Sequence, residues 1–345
     1  MERITSIIER LNHRLLDAIP EQYPIGLAHG KMGLIIYLYR LYDYTQDERL
    51  KTQAESLLDR LFENDLNKGG DLSVEEGLCG VVLGLDYLIR NRYVEGNING
   101  LAVEIDDLLF KHIVFGQLEK RHSLAEQIHW LYYILIRCKA QDEVSDRYLF
   151  EELAIVLINK IATQLNASFF TEPYGFTLYQ YPLPLLLRVI GEWLKQDFYT
   201  DRLKHILDSL SSFLFAHKPQ HSMNRLYLLW GLLPLRNLSD AWSRYVGTLS
   251  ESVDLRQILD EEFMGRDIYI SNGCSCLYLL LEAIGNDAPE MAFSYDFSKL
   301  SERIVCSDAW EELEHRLYYY KIHRGLLNGF PGVVLTLLDL KQNYL

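Results

Sequence analysis

The stretch that decides the fold is His29-Gly30-Lys31-Met32-Gly33, followed without a break by Leu34-Ile35-Ile36-Tyr37-Leu38-Tyr39-Arg40-Leu41. It joins a glycine turn to a run that is apolar nearly all round, and such a run predicts a buried helix. Three further copies of the pattern occur later in the chain. They cover 76–88, 272–283 and 328–340.

The spacing of these copies predicts more of them. Gly33 and Gly80 are 47 residues apart, Gly80 and Cys276 are 196 apart, or four steps of 49, and Cys276 and Gly332 are 56 apart. Three copies should therefore lie in the long interval. We find them, without their glycines, at 123–135, 179–190 and 224–235. The chain then holds seven copies of one repeat, a pattern typical of stacked supersecondary units.

Longer, charge-rich stretches with one apolar stripe separate the copies. In the first of them Ile4, Ile7, Ile8, Leu11 and Leu15 recur at three- and four-residue steps, which places them on one face of a helix. The other clear stretches are 50–62, 101–113, 148–165 and 203–215. Each repeat therefore predicts an amphipathic outer helix, a loop and a buried inner helix.

The two ends of the array predict closure. An open solenoid needs polar capping repeats at both ends, yet the first inner run (34–41) and the last (333–340) are as apolar as the middle ones. Packing the last pair on the first removes the exposed ends. We therefore predict an all-α, seven-fold double-layered α/α toroid of about fourteen helices in inner and outer rings, forming one domain over 1–345.

Composition excludes several classes of protein. The 345 residues are 49% hydrophobic and 24% charged, as in a globular protein. The net charge of −14 and the lack of a basic stripe argue against a nucleic-acid partner. The longest apolar runs, such as 277–281, fall far short of the roughly 20 residues that span a membrane. Five cysteines, an odd number, favour reduced thiols and a cytoplasmic location.

The turns are the candidate site. A Gly-x-x-Gly turn before a helix lets backbones approach closely, and we expect free N–H groups at the helix start to point outward. The residue before the first glycine is polar in most copies. Ser and Asn are also good helix caps, so the poor caps are the better catalytic candidates, and these are His29 and Glu76. The predicted substrate-binding residues are Ser123, Tyr179, Asn224, Asn272 and Asn328.

Three turns resemble those of the lanthionine synthetase C-like (lanthionine cyclase) family. They are Gly26-Leu27-Ala28-His29-Gly30-Lys31-Met32-Gly33, Glu76-Gly77-Leu78-Cys79-Gly80 and Asn328-Gly329-Phe330-Pro331-Gly332. The resemblance covers essentially the whole chain, because the family is itself a seven-fold α/α toroid. It implies peptide maturation, in which cysteine thiols add to dehydrated Ser or Thr residues and form thioether rings. It also implies a zinc ion held by a Cys of the fifth repeat and a Cys-His pair before the glycine of the sixth.

The chain departs from the family at those ligand positions. The sixth repeat has Ser271-Asn272-Gly273, the fifth (223–227) has no Cys, and the fourth (175–179) has no His. Because Ser and Asn replace thiolate and imidazole poorly, we predict no cofactor and no metal there. Zinc would require a relocated site, with Cys274 and Cys276 as the fallback ligands. At a helix start their side chains point about 200° apart, so small buried residues are the alternative interpretation.

The resulting function hypothesis is a lanthionine synthetase C-like protein that modifies or binds a peptide, with the zinc site lost and His29 as the candidate base. Its partner would be a precursor peptide or a peptide-modifying enzyme. One alternative is an α/α-toroid glycoside hydrolase, for which the candidate carboxylates are Glu75, Glu76 and Asp86. The other is a non-catalytic interaction scaffold, which the 23 tyrosines would suit.

Overall fold

The structure is a computed structural model that describes residues 2–16, 23–66, 70–116, 122–141, 143–311 and 323–344. Fourteen α-helices of nine residues or more lie in these residues, which contain no β-strand. They form seven consecutive pairs, each an amphipathic helix followed by a buried one, as the repeat predicted. None of these helices combines the length and the apolar content that crossing a bilayer requires.

The two sets of helices alternate along the chain. The amphipathic helices are α1 (Glu2–Leu16), α3 (Glu48–Arg60), α5 (Ile98–Phe115), α7 (Val144–Gln164), α9 (Thr200–Ala216), α11 (Asp240–Glu251) and α13 (Phe297–Val305). The buried helices are α2 (Lys31–Thr45), α4 (Leu78–Arg90), α6 (Leu124–Lys139), α8 (Leu183–Leu194), α10 (Ser222–Leu232), α12 (Cys274–Asp287) and α14 (Phe330–Tyr344).

Local sequence explains why the amphipathic helices begin and pack where they do. In α3 the Asp47 carboxylate accepts a hydrogen bond from the Arg49 backbone N–H and caps the first turn. Leu50, Ala54 and Leu57 then follow at three- and four-residue steps and are the buried residues of this helix. By contrast, α2 buries every residue from Lys31 to Tyr39, as expected for a run without a polar face.

The described chain forms two compact units. The first comprises Met1–Asp106, Met264–Leu279 and Asp296–Leu345, and it contains the four glycine turns. The second comprises Asp107–Phe263 and Leu280–Tyr295, and it contains the three repeats that lack the glycines. That the whole chain acts as one domain stays a prediction.

Within the first unit the last helix pair packs on the first. Helix α14 lies against α2, and it also contacts α1. An ion pair joins Arg40 on α2 to Asp339 on α14, with 2.6 Å between Nη2 and Oδ1. The predicted contact between the ends of the array is therefore present in the structure.

The fifth repeat differs from its predicted register. The sequence pattern placed a turn at 224–228 and a helix at 229–235, but α10 begins at Ser222 and 233–235 is a 3₁₀ turn. Pro234 lacks a backbone N–H, so the α-helix ends before it. The early start has a different cause, since carboxylates from two other segments accept the N–H groups at the start of α10 and just before it, as described below.

Candidate functional site

The buried helices of the first unit begin with a repeated hydrogen-bond pattern. The first N–H of each helix donates to the carbonyl of the residue seven positions earlier, because the preceding loop folds back over the helix start. The four bonds are Lys31 to Pro24 (2.8 Å), Leu78 to Asp71 (2.9 Å), Cys274 to Asp267 (2.9 Å) and Phe330 to His323 (3.1 Å). The expectation that these N–H groups are free for a ligand is therefore wrong, because the preceding loop already satisfies them.

The same loops explain the glycines. A Cβ at Gly80 would lie 2.1 Å from the Val74 carbonyl oxygen, and one at Gly332 would lie 2.0 Å from that of Leu326. At Gly33 the corresponding distance, to the Leu27 carbonyl oxygen, is 2.4 Å. None of the glycines in the described residues has positive φ. The motif is thus required by close backbone packing, and left-handed backbone conformation plays no part in it.

Backbone hydrogen bonds also join the four turns to one another. The N–H of Ser271 donates to the carbonyl of Leu327 (3.0 Å), the N–H of Leu327 to that of Ala28 (3.2 Å), and the N–H of Ala28 to that of Glu75 (2.9 Å). These four residues occupy the same position in their repeats. They form a continuous row, which we call the turn belt, running from the sixth repeat through the seventh and first to the second.

The turn belt brings four of the predicted site residues into one row. Each follows a belt residue directly in sequence, and they are Asn272, Asn328, His29 and Glu76. Glu76 is exposed and the other three are half-buried. The Asn328 amide nitrogen lies 3.5 Å from His29 Nε2, at the long end of hydrogen-bond distances. The row therefore presents an imidazole, a carboxylate and two amides at one end of the buried helices.

His29 has the electrostatics of a base that is neutral near pH 7. Burial lowers the pKa of His29 below its usual 6.5, and the negative charge of Glu76 partly offsets this shift by raising the pKa. A neutral imidazole has a lone pair that can accept a proton. Gly325 packs against this side chain so closely that a Cβ there would lie 3.0 Å from His29 Nδ1, which restricts the ring's movement.

The sixth turn does not fit the zinc ion that the family resemblance implies. Ser271 is buried, donates its backbone N–H into the turn belt, and donates its hydroxyl to Asn272 Oδ1 at 3.3 Å. A neutral hydroxyl and a neutral amide occupy the two positions where the family has thiolate and imidazole. These are poor ligands for zinc, which prefers Cys, His and carboxylate groups.

The fallback ligands are buried. Burial raises the pKa of Cys274 to about 12, although the Arg303 guanidinium opposes this shift, and burial also raises the pKa of Cys276. Both thiols lie in the core, where a protonated cysteine behaves as a small apolar residue. In the described part of the chain, no group of three or more His, Cys, Asp or Glu side chains is placed to hold a metal ion.

In the second unit the predicted residues have capping and packing environments. Ser123 is exposed, and its hydroxyl caps α6 by accepting the N–H of Glu126 at 3.1 Å. Tyr179 is half-buried in a 3₁₀ turn, Leu178–Gln180. Asn224 lies inside α10, is fully buried, and donates its amide to Glu172 Oε2 at 2.9 Å. Their substrate-binding role stays a prediction.

Two carboxylates that the sequence did not identify determine the start of α10. Glu262 accepts the N–H of Ser222 at 2.6 Å with one oxygen and that of Met223 at 2.9 Å with the other. Glu172 accepts the N–H groups of Gln220 and His221. Negative charge is favourable at a helix N-terminus, so these side chains replace the missing glycine turn. They lie 40 and about 50 residues away in sequence, and no local motif identifies them.

The carboxylates proposed for glycoside hydrolysis have different environments in the structure. Asp86 lies on α4 and holds Arg90 in an ion pair of 2.9 Å between Oδ2 and Nε. Glu75 contributes its backbone carbonyl to the turn belt. Only Glu76 remains as an exposed acid in the row, whereas that chemistry generally needs two carboxyl groups flanking one bond.

Comparison with known proteins identifies the fold. No protein-family model matches the chain, and no curated protein matches it by sequence. Among solved structures, a nisin cyclase has a TM-score of 0.66 at 14% sequence identity, over 99% of this chain and 93% of that one. The likeness confirms the predicted all-α fold class and agrees with the resemblance found in the glycine turns. At this identity it shows the fold alone.

Proposed function

We propose that this chain is a lanthionine synthetase C-like protein that binds a peptide along the turn belt and acts in peptide modification without the family's zinc ion. The observation that carries the proposal is the row of His29, Glu76, Asn272 and Asn328, held side by side by the belt. The fold shared with a nisin cyclase, whose name says that it cyclises nisin, supports the same conclusion.

The row suits an extended peptide. Side-chain amides of Asn272 and Asn328 can each donate to and accept from a peptide backbone. The helix-start N–H groups below them are already bonded, so recognition would rest on these side chains. The precursor peptide is the proposed partner, together with the enzyme that dehydrates it.

For thioether formation, His29 is the proposed general base. Neutral His29 takes the thiol proton of a peptide cysteine as its sulfur attacks the β-carbon of a dehydrated residue. One C–S bond forms, the C=C π bond breaks, and the proton returns to the α-carbon. The product has the mass of the substrate. The Glu76 carboxylate, whose charge raises the pKa of His29, stabilises the imidazolium formed on the way.

The location we propose is the cytoplasm. None of the five cysteines is in a disulfide, and four of them are buried. Reduced cysteines are the usual state of that compartment.

The proposed partner enzyme has its own test, which is pull-down of the dehydrating enzyme with this chain from the same cells.

The test uses synthetic peptides that hold one cysteine and one dehydroalanine, with spacers of two to five residues. We expect the chain to accelerate loss of free thiol, measured by alkylation, while the mass of the unalkylated peptide stays constant. The His29→Ala variant should lose the acceleration and the Gln342→Ala variant should keep it. If the chain binds the peptides without accelerating thiol loss, its function is that of a peptide-binding scaffold. If it neither binds them nor accelerates the loss, the proposal is contradicted.

A further inference from the structure

Two histidines outside the turn belt face each other in the second unit. His112 lies in the last turn of α5, and His122 directly precedes Ser123, the N-cap of α6. Their Nε2 atoms are 2.9 Å apart. Because only one of two imidazoles can donate in such a contact, the other must present a lone pair at the same point. The two Nε2 atoms therefore point at one position, where an ion would replace the proton that they share.

A carboxylate at the other ring nitrogen fixes the orientation of His122. Its Nδ1 lies 3.0 Å from Glu126 Oε1, one helical turn further along. An N–H at Nδ1 bonded to a carboxylate leaves Nε2 of His122 unprotonated, where it accepts the hydrogen bond from His112 Nε2. An outer hydrogen bond of this kind is the usual support of a metal-binding histidine. Glu126 thus favours the tautomer that a metal ion requires.

A tryptophan holds both rings in place. Trp130, fully buried in α6, contacts the His112 ring at 5.3 Å and the His122 ring at 4.8 Å between ring centroids, in both cases edge to face. The two imidazoles contact each other in the same manner at 4.8 Å. Rings packed in this way have little freedom to rotate, which lowers the entropic cost of binding an ion between them.

The separation of the two Nε2 atoms is close to that of two nitrogens bound to the same metal ion. Tetrahedral zinc with Zn–N bonds of about 2.0–2.1 Å separates two imidazole nitrogens by roughly 3.3 Å. The observed 2.9 Å therefore needs to widen by only a few tenths of an ångström. The His122 side chain is 21% exposed, so the pair lies at the edge of the core.

We propose that His112 and His122 bind one divalent transition-metal ion of the zinc, nickel and copper group through their Nε2 atoms. Imidazole is a preferred ligand of these ions. No third His, Cys, Asp or Glu of the described chain completes the set, and the proposed remaining ligands are water molecules, which leave the ion exchangeable. The proposed site uses neither Ser271 nor Asn272, and it does not depend on the proposed peptide chemistry.

The probe is Zn²⁺ alone, added to the full chain after any affinity tag has been removed and all metal extracted. Titration against a chromophoric zinc chelator at pH 7.5 should give one equivalent bound. The variants His112→Gln and His122→Gln should each abolish that binding, and Glu126→Gln should weaken it about 10–100-fold. The matched control is His205→Gln, an exposed histidine on α9, which should bind as the unmodified chain does.

Cysteine is the competing ligand, because Cys306 is exposed. Unchanged binding in both histidine variants, or loss of binding in Cys306→Ser, would overturn the proposal, as would the absence of any bound zinc. If the histidine variants fail to fold, the Co²⁺ absorption spectrum of the unmodified chain decides the question. Nitrogen and oxygen coordination supports the histidine pair, whereas a thiolate-to-cobalt charge-transfer band contradicts it.

Discussion

Arg40 and Asp339 are 299 positions apart in the sequence, yet the guanidinium Nη2 and the carboxylate Oδ1 lie 2.6 Å apart. The pair links the second helix of the chain to the last. Its side chains are 34% and 27% exposed, so it contributes on the order of 1 kcal/mol or less. The packing of α14 on α2 must therefore depend chiefly on buried apolar surface and on the backbone bonds of the turn belt.

The glycines of the turns should be intolerant of a single methyl group. We expect Gly80→Ala to lower the free energy of unfolding by about 1–3 kcal/mol, because its Cβ would meet the Val74 carbonyl oxygen at 2.1 Å. Urea denaturation measures the change. The matched control is Gly247→Ala, which is also in a helix but has nothing within 4 Å of the added carbon. This change should raise the free energy of unfolding by about 0.5–1 kcal/mol. Equal effects of the two changes would refute the packing account of the motif.

The contribution of the carboxylate cap of α10 to the free energy of unfolding should be measurable. Glu262→Ala removes the acceptor of two backbone N–H groups, and we expect a loss of about 1–2 kcal/mol in unfolding free energy. The neighbouring exposed Glu261 supplies the control, since Glu261→Ala should change stability by less than about 0.5 kcal/mol. A Glu262 variant as stable as the control would mean that water replaces the cap without cost.

The titration of His29 should respond to Glu76 with a defined sign. Burial lowers the pKa of His29 and the Glu76 charge raises it, so the imidazole should titrate below 6.5 and lower still in Glu76→Gln. Proton NMR of the ring resonances across pH 4–8 measures both values. A pKa that rises on removal of the Glu76 carboxylate would show that the two groups do not interact as the structure places them.

His129 should make the fold sensitive to acid. Burial lowers its pKa to about 4, so the unfolded chain takes up a proton near pH 6.5 before the folded chain does. Stability is then lost as the pH falls from 6.5 towards 4. Between pH 7.5 and 4.5 we expect the free energy of unfolding of the unmodified chain to fall by about 2–3 kcal/mol more than that of the His129→Gln variant. His205→Gln serves as the control, and parallel losses in all three proteins would contradict the prediction.

The fold was largely predictable from sequence, because the repeat carries it in local signals. Apolar runs, four of them after glycine turns, located six of the seven buried helices, and the predicted register failed at α10. There the helix start is fixed by Glu172 and Glu262, which approach from segments that no local pattern connects to it. The helix-start N–H groups were likewise misjudged, because a carbonyl seven positions earlier is visible as a partner only once the loop's path is known.

The site was predictable in part for the same reason. Repeat register identified His29, Glu76, Asn272 and Asn328 as equivalent positions, and the turn belt indeed places them in one row. Asn224 differs from these positions, because it lies one helical turn further into its helix and is fully buried. The pair of His112 and His122 was not predicted, because one lies on α5, the other just before α6, and the two share no motif.

The central claim is that a peptide binds along the turn belt, and one titration tests it most directly. Fluorescence anisotropy of a labelled peptide with one cysteine and one dehydroalanine should give about 10-fold weaker binding for His29→Ala combined with Asn328→Ala, the loss expected for about one hydrogen bond. The double variant Gln342→Ala with Asn343→Ala, at the other end of α14, should bind as the unmodified chain does. Equal affinity of both double variants, or no binding by the unmodified chain, would contradict the account.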